Sequence, residues 1–268
     1  MTGNNVFKTQ REGSILWLSL NRPEKRNSIS MEVFEGLMRV FPDLDQDPEV
    51  RAVIIKGEGK SFCAGMDLEA IGAILEGKGA DHRDDLRREI LRLQEAVNVI
   101  ERCRKPVIAA IHGYCLGGGV DLVCGCDIRI ASRDALFSVR ETRMAMVPDL
   151  GTLQRLPHIV GQGWFRELAL TGRDFSAEEA LGMGFVTHLC EDQAALFEKA
   201  REIASQIVSC SPLAVQGVKE VICYSRDHGV HAGLSYVAQK NAVLLHSEDL
   251  MEAFRAFKEK RKPIFKGS

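Results

Sequence analysis

The sequence predicts an α/β fold with a helical C-terminal part. Short apolar runs recur through the first half of the chain, each opening into a loop rich in glycine or closed by proline. Helical patterns with one apolar face alternate with them, and beyond residue 176 the pattern is helical. Runs that do not alternate with polar residues are strands covered on both faces, as in a parallel sheet between helices.

The elements follow in order. Ser14-Ile-Leu-Trp-Leu-Ser-Leu20 reads as a strand ended by Asn21-Arg-Pro23. Ser30 then caps a helix that carries Val33, Phe34, Leu37, Met38 and Phe41 on one face, with Pro42 as its stop. Ala52-Val-Ile-Ile55 is a second buried strand and runs into Gly57-Glu-Gly59. Glu76–Asp85, charged and glycine-containing, reads as a mobile surface loop. Val107–Ile111 is a third strand, followed by Gly117-Gly-Gly119 and a helix from about Val120. Ser176-Ala-Glu-Glu179 fits a capping box, and further helices are expected at about 192–208, 212–224, 229–245 and 248–260. The expected organisation is a core over 1–195 and a helical region over 196–268.

A net charge of −2 supplies none of the basic field that a nucleic-acid partner requires. The eight cysteines contain no C-x-x-C pair, so they read as small buried hydrophobes in a reducing compartment rather than a disulfide framework. Met1–Gly13 lacks the apolar core of a secretory signal, and Phe265-Lys-Gly-Ser268 carries no peroxisomal tripeptide; the expected location is cytoplasmic. Val107–Cys126 is nearly long enough to span a bilayer, but its five glycines, His112 and Asp121 fit a strand, a turn and a helix instead. No membrane association is expected.

Three carboxylates flank the glycine triplet. Asp121 follows it directly, Glu141 lies 20 residues on and Asp149 a further 8. A glycine turn between strand and helix often serves packing alone, but it also aims backbone N–H groups at an oxyanion near a helix N-terminus. Ser61-Phe-Cys-Ala-Gly-Met-Asp-Leu68 is a second such turn after a buried strand, so the two would supply the two donors that an enolate oxygen needs. Asp121 stands in an apolar run where an unpaired charge is expensive. Asp127 and Arg129 could pair with each other. Glu141 lies between Arg140 and Arg143, so a surface salt bridge is its plain alternative, and Asp149 occupies a natural turn position after Pro148.

Other motifs fall away. Gly57-Glu-Gly59 has Phe62 where a dinucleotide fingerprint needs its third glycine, and Gly59-Lys-Ser61 has Ile54 where a phosphate loop needs its first. His228 and His231 have no acidic or cysteine partner in sequence for a metal, and no hydrolase signature occurs.

Four segments together resemble the crotonase (enoyl-CoA hydratase/isomerase) superfamily. They are Asn21-Arg-Pro-Glu-Lys-Arg-Asn27, Ser61–Leu68, Lys105-Pro-Val-Ile-Ala-Ala-Ile-His-Gly-Tyr-Cys-Leu-Gly-Gly-Gly119 and Thr171-Gly-Arg173. The resemblance implies a spiral of ββα units, a C-terminal helical trimerisation region, trimers often stacked as hexamers, and an acyl-CoA thioester as substrate. It implies Met66 N–H and Gly118 N–H as the oxyanion hole. Lys25 and Arg26 fall on the phosphate side of coenzyme A, with Ala64, Asp67 and Leu68 at its adenine end. The basic cluster Lys258, Lys260, Arg261 and Lys262 is either a further coenzyme A contact or a solvated helix end. Coenzyme A is part of the substrate, and no metal or redox cofactor is implied.

Hydratases of this family hold one water between two glutamates at the positions of Asp121 and Glu141. Here the first is one methylene shorter, and Asp149 stands where a small residue is usual. Gly119-Val-Asp-Leu122, Val139-Arg-Glu141 and Asp149-Leu-Gly-Thr-Leu-Gln-Arg-Leu-Pro157 resemble the Δ3,5-Δ2,4-dienoyl-CoA isomerases of the family. That resemblance implies proton removal at C2, assigned to Glu141, and return at C6, assigned to Asp149, with Asp121 tuning the set. The alternatives are an enoyl-CoA hydratase that tolerates Asp121 and a non-enzymatic binding member of the family.

Overall fold

A computed structural model of the chain describes residues 6–75 and 79–268. The strands are β1 (Phe7–Glu12), β2 (Ile15–Leu20), β3 (Ala52–Gly57), β4 (Val107–Ile111), β5 (Tyr114–Leu116), β6 (Ile128–Ser132), β7 (Leu136–Ser138), β8 (Asp174–Ser176) and β9 (His188–Cys190). One sheet has the order β1-β2-β3-β4-β6-β9, antiparallel between β1 and β2 and parallel elsewhere. A smaller sheet, β5-β7-β8, is built from the segments that follow β4 and β6 and from β8. The helices are α1 (Met31–Gln46), α2 (Leu68–Leu75), α3 (Ala80–Arg102), α4 (Gly118–Cys124), α5 (Thr152–Thr171), α6 (Ala177–Gly182), α7 (Gln193–Val208), α8 (Pro212–His228), α9 (Val230–Leu244) and α10 (Glu248–Glu259).

The apolar strands are buried on both faces, as their composition predicts. Alternate residues of β2, β3 and β4 divide between two cores. Leu16, Leu18, Val53, Ile55, Ala109 and Ile111 join the large core that also holds apolar residues of α1, α3, α4 and α5. Ile15, Trp17, Ile54, Ile108 and Ala110 face the other way, onto Leu196, Ala200 and Ala204 of α7. The division drawn at 195/196 therefore falls inside a helix packed on the sheet. Among the described residues no helix is long and apolar enough to cross a membrane, and Val107–Cys126 forms β4, β5 and α4.

Three local expectations are corrected. Pro42 lies inside α1 rather than ending it. Leu44 is buried beyond the proline, and Arg104 holds the last turn through Asp45, donating from its amide and guanidinium to the carboxylate and from its guanidinium to the carbonyl. In the Glu76–Asp85 stretch, residues 76–78 lie outside those described, but α3 begins at Ala80. Its charges form a solvated helix face, with Asp84 pairing Arg87 and Arg88 at helical spacing. Asp127 and Arg129 do not pair. Arg129 donates to the carbonyls of Val123, Cys126 and Phe185. Asp127 Oδ2 accepts from Val107 N–H and from Lys219 Nζ, both at 2.7 Å. Lys219, buried on α8, also reaches the Lys105 carbonyl at 3.2 Å, so this cluster docks the C-terminal helices onto the sheet.

The Ser176 capping box forms as predicted, with Ser176 Oγ accepting from Glu179 N–H and the Glu179 carboxylate accepting from Ser176 N–H. Ser30 precedes α1, but its hydroxyl makes no cap bond.

Candidate active site

The site begins with two glycine turns laced together. Cys63 N–H donates to the Tyr114 carbonyl at 2.8 Å, and Leu116 N–H donates to the Cys63 carbonyl at 3.0 Å. Ile29 adds a third strand: it donates to the Gly65 carbonyl and accepts from Asp67 N–H. Such close approach requires glycine. Gly65 has φ +97°, and a Cβ there would lie 2.9 Å from the Leu116 carbonyl oxygen. A Cβ on Gly118 would lie 3.7 Å from Met66 N, so the two turns meet at these residues. Among the described residues neither Met66 N–H nor Gly118 N–H has a backbone acceptor. Gly118 opens α4, where the first N–H groups have no partner within the helix.

Both turns border a cavity of about 560 Å3. Ala64, Met66, Leu68 and Gly118 line it from the turns, Asp121 from the helix that Gly118 opens, and Glu141 and Asp149 from two further segments. Apart from Arg140, its remaining wall is mainly apolar, with Ile71 of α2, Leu86, Ile90 and Leu93 of α3, and Met144, Met146 and Val147 after Glu141. The α3 residues of this wall follow directly on the stretch read as a mobile surface loop. The wall residues recur at positions 86, 90 and 93, a helical period already present in the sequence.

The three acids differ in surroundings. Asp121, the fourth residue of α4, is 1% exposed. Its Oδ1 accepts from Thr152 N–H at 2.7 Å and from Thr152 Oγ1 at 2.6 Å. Burial pushes its carboxyl up to about 6, against the lowering effect of those two donors. Glu141 follows β7 on a one-turn 3-10 segment, Glu141–Met144. The flanking arginines leave it alone: Arg140 pairs with Asp174 at 2.6 Å and Arg143 donates to the Thr171 carbonyl. Its Oε1 lies 3.0 Å from where a Gly117 side chain would start, and Gly117 has φ +48° and ψ −118°, a conformation that favours glycine. Its Oε2 is buried without a partner. Burial first, and then the charges of Asp121 and Asp149, push Glu141 up to about 7. Asp149 opens to the cavity, and burial moves it above its ordinary range. Gln94 of α3 steadies its backbone, donating to the Asp149 carbonyl at 2.7 Å.

The remaining predicted positions divide. Ala64 and Leu68 are in the cavity wall, whereas Lys25 and Arg26 lie outside it on the neighbouring loop, joined through Ala64 N–H to the Arg26 carbonyl at 3.0 Å. Lys25 pairs with Glu69 at 3.6 Å, and the Arg26 guanidinium lies over the Tyr114 ring at 5.5 Å. The Asp67 side chain is turned away, paired with Arg22 at 2.8 Å. Arg261 of the C-terminal basic cluster is engaged by Glu252 and Glu259. His228 stacks on Tyr224.

Thr152 and Gln94 have no motif of their own. Thr152 does stand in the first turn of α5, a place suited to holding an anion.

A cavity lined by Met66 and Gly118, with three acids around it, is equipped to move protons on a bound small molecule. The chain belongs to the enoyl-CoA hydratase/isomerase family, whose model matches residues 10–268. It is 45% identical over 265 residues to the peroxisomal Δ(3,5)-Δ(2,4)-dienoyl-CoA isomerase of Arabidopsis thaliana, spanning 97% of this chain and 95% of that one. It is 44% identical over 258 residues to the mitochondrial enzyme of that name from Homo sapiens, spanning 94% of this chain and 79% of that one. A crystal structure of an enoyl-CoA hydratase from Bacillus anthracis superposes with a TM-score of 0.91 at 36% identity, over 98% of this chain and all of that one. The fold is therefore the crotonase fold expected from the sequence.

Proposed function

We propose that the chain converts 3,5-dienoyl-CoA to 2,4-dienoyl-CoA. The thioester oxygen rests between Met66 N–H and Gly118 N–H, which stabilise the enolate formed when C2 loses a proton. Each such donor is worth about 10²–10³ in rate. Glu141, ionised, takes the C2 proton; the negative charge spreads along the conjugated chain; Asp149, protonated, delivers a proton to C6. Only protons move, so the step needs no metal or redox cofactor, and coenzyme A enters with the substrate. Its phosphates are assigned to Lys25 and Arg26, and its adenine end to the backbone of Ala64, Asp67 and Leu68. Three acids sharing one site titrate as a set, which allows one to start ionised and another protonated near neutrality.

The observation that carries this reading is the third carboxylate: Asp149 lines the same cavity as Asp121 and Glu141. A shift from C3 to C2 needs one acid, whereas C2 and C6 are too far apart for one. The similarity to the two dienoyl-CoA isomerases supports it. Purified protein with a 3,5-dienoyl-CoA should produce the absorbance of a conjugated 2,4-dienoyl thioester; no such absorbance would remove the reading. The second reading is enoyl-CoA hydratase, favoured by the similarity to the Bacillus anthracis structure. Brisk hydration of a 2-enoyl-CoA without isomerisation would select it.

A homotrimer, or a hexamer of two trimers, is proposed for the assembly. The support is apolar surface on the C-terminal helices, including Val218, Ile222, Leu234, Val243 and Phe254. Light scattering on the purified protein measures it.

A further inference from the structure

We propose that Thr152 is a positioning residue which, through its amide and its hydroxyl, holds Asp121 as the fixed anion of the carboxylate cluster and leaves the mobile protons to Glu141 and Asp149. The inference rests on the function proposed above and gives Asp121 a definite state within it. Among the described residues Thr152 is the one hydrogen-bond donor to the Asp121 carboxylate, and both its bonds end on Oδ1, at 2.7 and 2.6 Å. Two short donors on one oxygen favour the charged form. The amide belongs to the first turn of α5, so the positive end of that helix adds to them. Glu141, by contrast, keeps a buried oxygen with no donor at all.

The other groups around Asp121 do not supply this effect. Arg155, one turn further along α5, lowers Asp121 only as a weaker charge, since its guanidinium is engaged by Glu101 at 3.0 Å and Asn98 at 2.8 Å. Cys115 of β5 and Cys124 of α4 are buried thiols pushed far above neutrality, hence uncharged. Glu141 and Asp149 are themselves acids and raise whichever neighbour is not ionised. Fixing the charge on Asp121 therefore raises Glu141, whose second-largest perturbation is the Asp121 charge. A C2 base that titrates near neutrality is better matched to its task than an ordinary glutamate.

The test uses the full-length protein with Thr152→Val, which removes the hydroxyl at nearly constant volume, and Thr152→Ser, which keeps it. Thermal melts establish that both are folded. The carboxyl groups are titrated without substrate by infrared difference spectroscopy, with Asp121→Asn to assign the Asp121 band. In Thr152→Val the protonated Asp121 band should persist about one pH unit higher than in wild type, a shift of the size expected for one lost hydrogen bond to a charged group. Glu141 should lose its proton at lower pH, taking the acid limb of the kcat/KM profile with it. Thr152→Ser should behave as wild type, and in the Asp121→Asn background Thr152→Val should shift nothing. Identical titrations in wild type and Thr152→Val would overturn the proposal, as would a shift that persists without Asp121. If wild-type protein leaves 3,5-dienoyl-CoA unchanged, the proposed function fails, while the substrate-free titration still decides the role of Thr152.

Discussion

The Met66 amide nitrogen lies 3.7 Å from the point where a side chain on Gly118 would begin, although 52 residues separate the two in the chain. Gly65 maintains that approach, because its φ of +97° and its bare α-carbon let the first turn lie against Leu116. Gly65→Ala puts a methyl group 2.9 Å from the Leu116 carbonyl and pries the turns apart. Loss of one aligned donor should lower kcat by about 10²–10³. Steady-state assay with a dienoyl-CoA measures it, and a near-normal kcat would show that the paired amides do not hold the oxyanion.

Asp121 stabilises the fold less as pH rises. Burial pushes its folded carboxyl up to about 6 from an ordinary 3.8, so the native chain binds more protons than the unfolded chain between those values. Stability from this group is full below about pH 4 and is lost as pH rises through about 6. Asp121→Asn keeps an oxygen for Thr152 and removes the buried charge. Its melting temperature should exceed that of wild type by a few degrees at pH 8 and match it near pH 4. A variant less stable than wild type at pH 8 would contradict the assignment of a costly buried anion.

Lys219 and Asp127 form the contact that binds α8 to the sheet, at 2.7 Å with Lys219 buried. Lys219→Ala leaves the Asp127 carboxylate without its cation and should destabilise the protein by about 3 kcal/mol. Adding Asp127→Asn should recover part of that loss. Denaturant unfolding of both single variants and the double variant checks this, and additive losses would show that the residues act independently.

Elements whose cause is local were legible in the sequence. The apolar strands, the Ser176 capping box and the two glycine turns follow from nearest neighbours and from period. The three acids were legible as a set because each stands where its local context is odd for a surface charge or recurs at a family's spacing. What escaped depends on contacts between distant segments. Nothing near Asp127 indicates Lys219, 92 residues on. The charges of Ala80–Asp85 resemble a loop until they are seen as the outer face of a helix whose inner face lines the cavity. Thr152 is an ordinary first-turn residue until α5 is brought against α4.

The division of labour between Glu141 and Asp149 predicts distinct fates for hydrogen at the two carbons. The measurement is the reaction of 3,5-dienoyl-CoA in heavy water, analysed by NMR for wild type, Glu141→Gln and Asp149→Asn. Wild type should yield 2,4-dienoyl-CoA carrying deuterium at C6. Asp149→Asn should leave the double bonds where they are, with isomerisation reduced by about 10²–10⁴, while still exchanging hydrogen at C2. Glu141→Gln should do neither. An Asp149→Asn enzyme that isomerises like wild type would contradict the claim that a proton is handed to C6 by the third carboxylate.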